Sequence, residues 1–214
     1  MPVIFYIIFV SLIAGALFYK RLQPQYVRWL LPFLFLTLLI ELNINRQWIY
    51  FKGSTIWFYN IFTTIEFCFY FFLFSINLRK RRFRKLAFWF IPLYLAIAFL
   101  TIFFIQGTNH FHTISYRIAS VVLVVFCYLF FKQLLDSGTE TNVLRNPMFW
   151  IATGLLFFYT GFFFYFCAYD YVAYAKIPLN LQLWKIISRS LNILLYSFFL
   201  IAIVCNLKPS NSLK

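Results

Sequence analysis

Seven apolar runs alternate along the chain with short polar connections, at about 3–19, 26–42, 54–76, 86–105, 113–135, 147–169 and 181–205. Crossing a bilayer as a helix takes roughly 20 mainly apolar residues. A buried helix of a water-soluble protein would be shorter, or apolar on one face only. The pattern therefore predicts an all-α, polytopic membrane protein: a seven-helix bundle forming a single transmembrane domain over 1–214. The longest connection is the turn-like Asp136-Ser137-Gly138-Thr139-Glu140-Thr141-Asn142. No linker or convincing internal repeat interrupts the series. The chain opens Met1-Pro2-Val3-Ile4 with no basic region and no small-residue cleavage signal, so the first run reads as a retained span.

Composition agrees: 64% of residues are hydrophobic, 25% are aromatic and the mean hydropathy is +0.82. Soluble domains are only about half apolar. The net charge of +14 lies mainly between the runs, where it sets topology and leaves no basic soluble face for nucleic acid. Lys20, Arg21 and Arg28 flank the first connection, Lys132 and Arg145 the fifth, and Lys208 and Lys214 lie in the tail. On the opposite side stand only Arg46, Lys52 and Lys176. The positive-inside rule then puts the N-terminus outside and the C-terminus in the cytoplasm. The third connection is the most basic, with Arg79, Lys80, Arg81, Arg82, Arg84 and Lys85 around Phe83. Such a cluster anchors topology and contacts anionic lipid. The alternative is a docking surface for an acidic cytoplasmic partner.

Ionisable groups inside the hydrocarbon are costly unless paired or hydrated, so they mark interior surfaces. Glu66 is about 18 Å of helix from the outer end of the third run, and Arg189 about 12 Å from the same face in the seventh. Glu41 and Arg117 lie near outer ends. Tyr59, Thr63, Glu66 and Tyr70 recur at one-face spacing, as do Lys185, Arg189, Asn192 and Tyr196; Thr113, Arg117 and Ser120 form a shorter stripe. Turned inward, these stripes would line a polar pocket opening outward, with Glu41, Tyr59, Thr63, Glu66, Arg117, Arg189, Asn192 and Tyr196 as candidate ligand-binding residues. The competing reading has Glu66 and Arg189 neutralising one another as a structural pair. No catalytic residue is assigned.

Several other features read as structural. Gly154, Gly161 and Ala168 recur every seven residues, which suits close helix packing, and Asn146-Pro147 suits a helix start. His110 and His112 read as exposed loop histidines, not metal ligands. Cys68, Cys127, Cys167 and Cys205 are scattered singly, as small apolar packing residues. No phosphate loop, HExxH or GxSxG occurs, and no cofactor is implied. A retinal protein would need a lysine in mid-span, where this chain has Arg189.

Three segments together carry a resemblance: Tyr59-Asn60-Ile61-Phe62-Thr63-Thr64-Ile65-Glu66-Phe67, Asn146-Pro147-Met148-Phe149-Trp150-Ile151-Ala152-Thr153-Gly154 and Ser190-Leu191-Asn192-Ile193-Leu194-Leu195-Tyr196. The chain resembles a family of small multi-pass Bacteroidota membrane proteins of unknown function. It also resembles the seven-span input regions of sensor histidine kinases, though it carries no kinase sequence. The resemblance implies a bacterial inner (cytoplasmic) membrane location and a signalling partner. The leading expectation is a sensory or regulatory membrane subunit and not an enzyme. A small-solute or ion transporter is the alternative, followed by an intramembrane enzyme or an assembly scaffold.

Overall fold

The apolar runs form helices throughout a computed structural model that describes residues 3–46, 55–108, 110–137, 143–174 and 181–205. The seven helices are α1 (Val3–Leu17), α2 (Tyr26–Arg46), α3 (Ile56–Asn77), α4 (Arg81–Leu100), α5 (Thr113–Ser137), α6 (Pro147–Tyr174) and α7 (Leu181–Val204). No strand occurs among the described residues, and the all-α expectation holds. Among the described residues six helices are long and apolar enough to cross a membrane, so this is a multi-pass integral membrane protein. The exception is α1, whose 15 residues extend about 22 Å against a hydrocarbon core of about 30 Å.

Boundaries follow local chemistry. Asn146 caps α6 by accepting the Met148 backbone N–H at 3.0 Å, and Pro147 takes the first helical position, where no N–H is needed. Helix α4 begins at Arg81, five residues before the apolar run, and so includes most of the basic cluster. It ends in a π-helical segment, Thr101–Ile105, closed by a 2.8 Å bond from the Gln106 N–H to the Thr101 carbonyl. Gln106 then donates to Thr113 Oγ1 at 2.8 Å, tying that segment to the first turn of α5.

The helices group into two compact units. One holds α1, α2 as far as Phe35, α6 and α7. Here α7 packs on both α1 and α6, and the small residues decide how closely. A Cβ on Gly154 would lie 2.9 Å from Phe198 Cβ, and one on Gly161 would lie 2.6 Å from Leu191 Cδ2. The heptad stripe on α6 therefore seats α7, as expected for small-residue packing in lipid.

The other unit holds the second half of α2 with α3, α4 and α5. Its middle is aromatic. Phe71 meets Phe90, Tyr94 and Phe126 edge-on, and Phe74 stacks on Phe126 at 6.0 Å. Helix α4 leaves Phe88, Trp89, Leu93, Leu95, Phe99 and Leu100 exposed, an apolar face that suits lipid.

Candidate functional site

Apart from Ser11, every buried polar or charged residue among those described lies in the α2–α5 unit. Most gather at one end, around the start of α3, the end of α4 and the start of α5: Asn60, Thr63, Glu66, Thr101, His112, Ser115 and Ser120. Polar groups buried at membrane depth need internal partners, and several here have them. Tyr70 Oη donates to Glu66 Oε1 at 2.8 Å, one turn along α3. Ser120 Oγ returns to the Tyr116 carbonyl at 2.7 Å. Asn60 Nδ2 donates to the His110 carbonyl at 2.9 Å, while Asn60 Oδ1 accepts the His112 N–H at 3.3 Å.

Glu66 is the centre of this end. Only 8% of it is exposed. The phenols of Tyr59, Tyr94 and Tyr116 all lie within its electrostatic reach, and Glu41 acts on the same Tyr59 phenol. Beyond Glu66 the buried face of α3 is mainly aromatic: Phe67, Phe71 and Phe74 are fully buried, Phe67 and Phe71 meet Tyr94, Tyr116 and Phe126 edge-on, and Phe74 stacks on Phe126.

Of the residues singled out from sequence, Glu41, Tyr59, Thr63, Glu66 and Arg117 fall in this unit, with Thr63 and Glu66 buried and the other three partly so. Arg189, Asn192 and Tyr196 belong to α7 in the other unit. There Arg189 is exposed, Tyr196 is buried, and Asn192 donates to the Ser188 carbonyl at 2.9 Å.

His112 departs from expectation. His110 is exposed as a loop histidine should be, but His112 is fully buried because Asn60 holds its loop down on α3. Its Nδ1 pairs with Ser115 Oγ, and its Nε2 is buried without a hydrogen-bond partner among the described residues. Burial pushes the imidazole pKa down to about 4, outweighing a backbone contact with Asn60 that raises it. The imidazole is therefore neutral at pH 7. No group of three or more His, Cys, Asp or Glu able to hold a metal occurs among the described residues. The four cysteines are free thiols.

The opposite end of the unit is basic. Gln133 Oε1 on α5 accepts the backbone N–H groups of Arg79 and Lys80, at 2.7 and 3.2 Å, and so fixes the α3–α4 turn. Arg84 Nε closes the same turn on the Ser75 carbonyl at 3.1 Å.

Comparisons with models of protein families, with curated proteins and with solved structures find no match for this chain.

Proposed function

We propose that this protein is a sensory or regulatory subunit of a bacterial inner membrane, with seven spans, its N-terminus outside and its C-terminus in the cytoplasm. The polar end around Glu66 is the input site, facing outward. The basic 79–85 turn lies at the cytoplasmic face, where it contacts anionic lipid and passes the state of the input site to a separate signalling protein.

The observation that carries this reading is the uneven placement of buried polar side chains in the α2–α5 unit, most of which lie between the start and the middle of α3 or at the start of α5, with Ser75 and Gln133 at the other end. Glu66, Asn60, His112 and Ser115 are buried at one end, and an aromatic layer of Phe67, Phe71, Phe74 and Phe126 underlies them. Such a layer offers no polar path for a solute but couples two ends by packing, since close-packed interiors transmit strain. Along α3, Tyr70, which is bonded to Glu66, is followed by Phe71 and Phe74, both of which contact Phe126, and α5 leads on to Gln133 and the Arg79 backbone.

The test compares transcript profiles of cells carrying the wild type, Glu66→Gln, or a variant with the six basic residues of 79–85 changed to Gln. The reading expects both variants to shift the same transcripts. Disjoint sets, or no response to Glu66→Gln, would contradict it.

A second reading, a small-ion transporter, has one observation in its favour: Glu41 and Glu66 both act on Tyr59, as paired carboxyls around a cation or proton would. Proton or sodium flux in liposomes that Glu66→Gln abolishes would select it.

A further inference from the structure

The basic end of the α2–α5 unit contains a groove that neither topology nor partner docking requires. It measures about 530 Å³ and lies where α3 ends and α4 begins. Its wall has two chemistries. Arg81, Arg84 and Lys85 supply the cations, Phe72, Ile76 and Phe88 the apolar surface and Ser75 the rest, and no acidic residue among those described lines it.

The order of these residues along the helices matters. Arg81, Arg84, Lys85 and Phe88 follow the i, i+3, i+4, i+7 spacing of a single helix face. That face is cationic in its first turn and aromatic one turn later, going inward along a membrane-spanning helix. Phe72 and Ile76 repeat the apolar part on α3 at i, i+4. The change from charge to hydrocarbon thus falls at the end of both spans, at the depth where a lipid changes from phosphate to acyl chain.

Arg84 is held in place for this role. Its Nε is committed to the Ser75 carbonyl at 3.1 Å, one of the carbonyls that a helix C-terminus leaves without an intrahelical partner. A guanidinium has five N–H donors, so four remain for an anion. The first turn of α4 adds the positive end of a 20-residue helix, which also favours an anion.

We infer that this groove binds one anionic phospholipid, with its phosphate on Arg81, Arg84 and Lys85 and an acyl chain along Phe72, Ile76 and Phe88. This rests on the lipid contact proposed above and narrows it from six cations to three. A soluble acidic peptide or a free phosphate would satisfy the cations and leave the apolar wall uncovered. Lipid covers both.

The full-length protein in detergent is offered equal amounts of phosphatidylglycerol and phosphatidylcholine with the same chains, and retained lipid is counted by native mass spectrometry. The wild type retains one phosphatidylglycerol in preference. Arg81→Gln/Arg84→Gln/Lys85→Gln loses that preference by about tenfold or more, since each cation near a membrane surface contributes measurably to anion attraction. Ile76→Trp keeps every charge but fills the groove, and it loses the lipid too. Lys20→Gln/Arg21→Gln/Lys132→Gln removes the same charge from exposed positions elsewhere and retains it. Equal loss in this control would leave general attraction to anionic lipid standing and overturn the groove. No preference in the wild type would overturn both. Displacement of the lipid by excess glycerol 3-phosphate would reduce the groove to a phosphate site without chain contact, and would also overturn the inference.

Discussion

Tyr70 donates a 2.8 Å hydrogen bond to Glu66 across one turn of α3, and both side chains are buried. The bond matters because a carboxyl at this depth needs donors. Tyr70→Phe removes one and leaves an acceptor short. The expected cost is about 1–3 kcal/mol, read as lowered thermal stability in detergent. Glu66→Ala/Tyr70→Phe should cost less than the two single changes added together, because the bond can be lost only once. Additive losses would mean the pair is not coupled.

Asn60 makes two bonds to the loop before α5, one to the His110 carbonyl and one from the His112 N–H. Asn60→Ala loses both, at an expected cost of about 2 kcal/mol. Hydrogen exchange should rise first at 110–116, before any change in α4. Uniform exchange across the chain would contradict a local clasp.

The His112 pKa of about 4 gives the fold a pH dependence of known sign. The unfolded imidazole titrates near 6.5. Above that pH both states are neutral and the histidine contributes no slope. As pH falls from about 6.5 to about 4, the unfolded state takes up the proton first, and stability drops by about 3 kcal/mol before levelling off. His112→Gln should flatten that part of the curve, measured as thermal stability against pH. An unchanged slope would assign the effect to other groups.

Two glycines on α6 should respond differently to alanine. The Gly154 Cβ would meet Phe198 at its Cβ, which cannot move without the α7 backbone, whereas the Gly161 Cβ would meet the flexible end of Leu191. Gly154→Ala should therefore destabilise by about 1–3 kcal/mol. Gly161→Ala should cost less, because the gain in helix propensity, about 1 kcal/mol, offsets a side-chain adjustment. Melting temperatures in one detergent would rank them.

The helices are legible because lipid demands long apolar runs, and six of the seven begin within two residues of where hydropathy changes. Helix α4 starts five residues before its apolar run because its first turn is made of Arg and Lys, good helix formers that a hydropathy criterion excludes. Within α3, Glu66 and Thr63 stood out as polar residues in an apolar run, and both are buried. The one-face spacing that picks out Glu66 runs through Tyr59 and omits Asn60, which is fully buried. The heptad spacing Asn60, Thr63, Phe67, Tyr70, Phe74 traces the most buried face and would have revealed it. His112 could not be found this way, because its burial depends on a loop held by a residue more than 50 positions earlier.

The central claim is that the state of Glu66 reaches the basic turn through the aromatic layer. Hydrogen exchange of the wild type and Glu66→Gln in lipid nanodiscs tests it without knowledge of the ligand. The account predicts that exchange at 79–85, where Gln133 holds the Arg79 and Lys80 amides, changes several-fold while 86–99 stays as in the wild type. A change confined to 60–70, with the turn untouched, would contradict it.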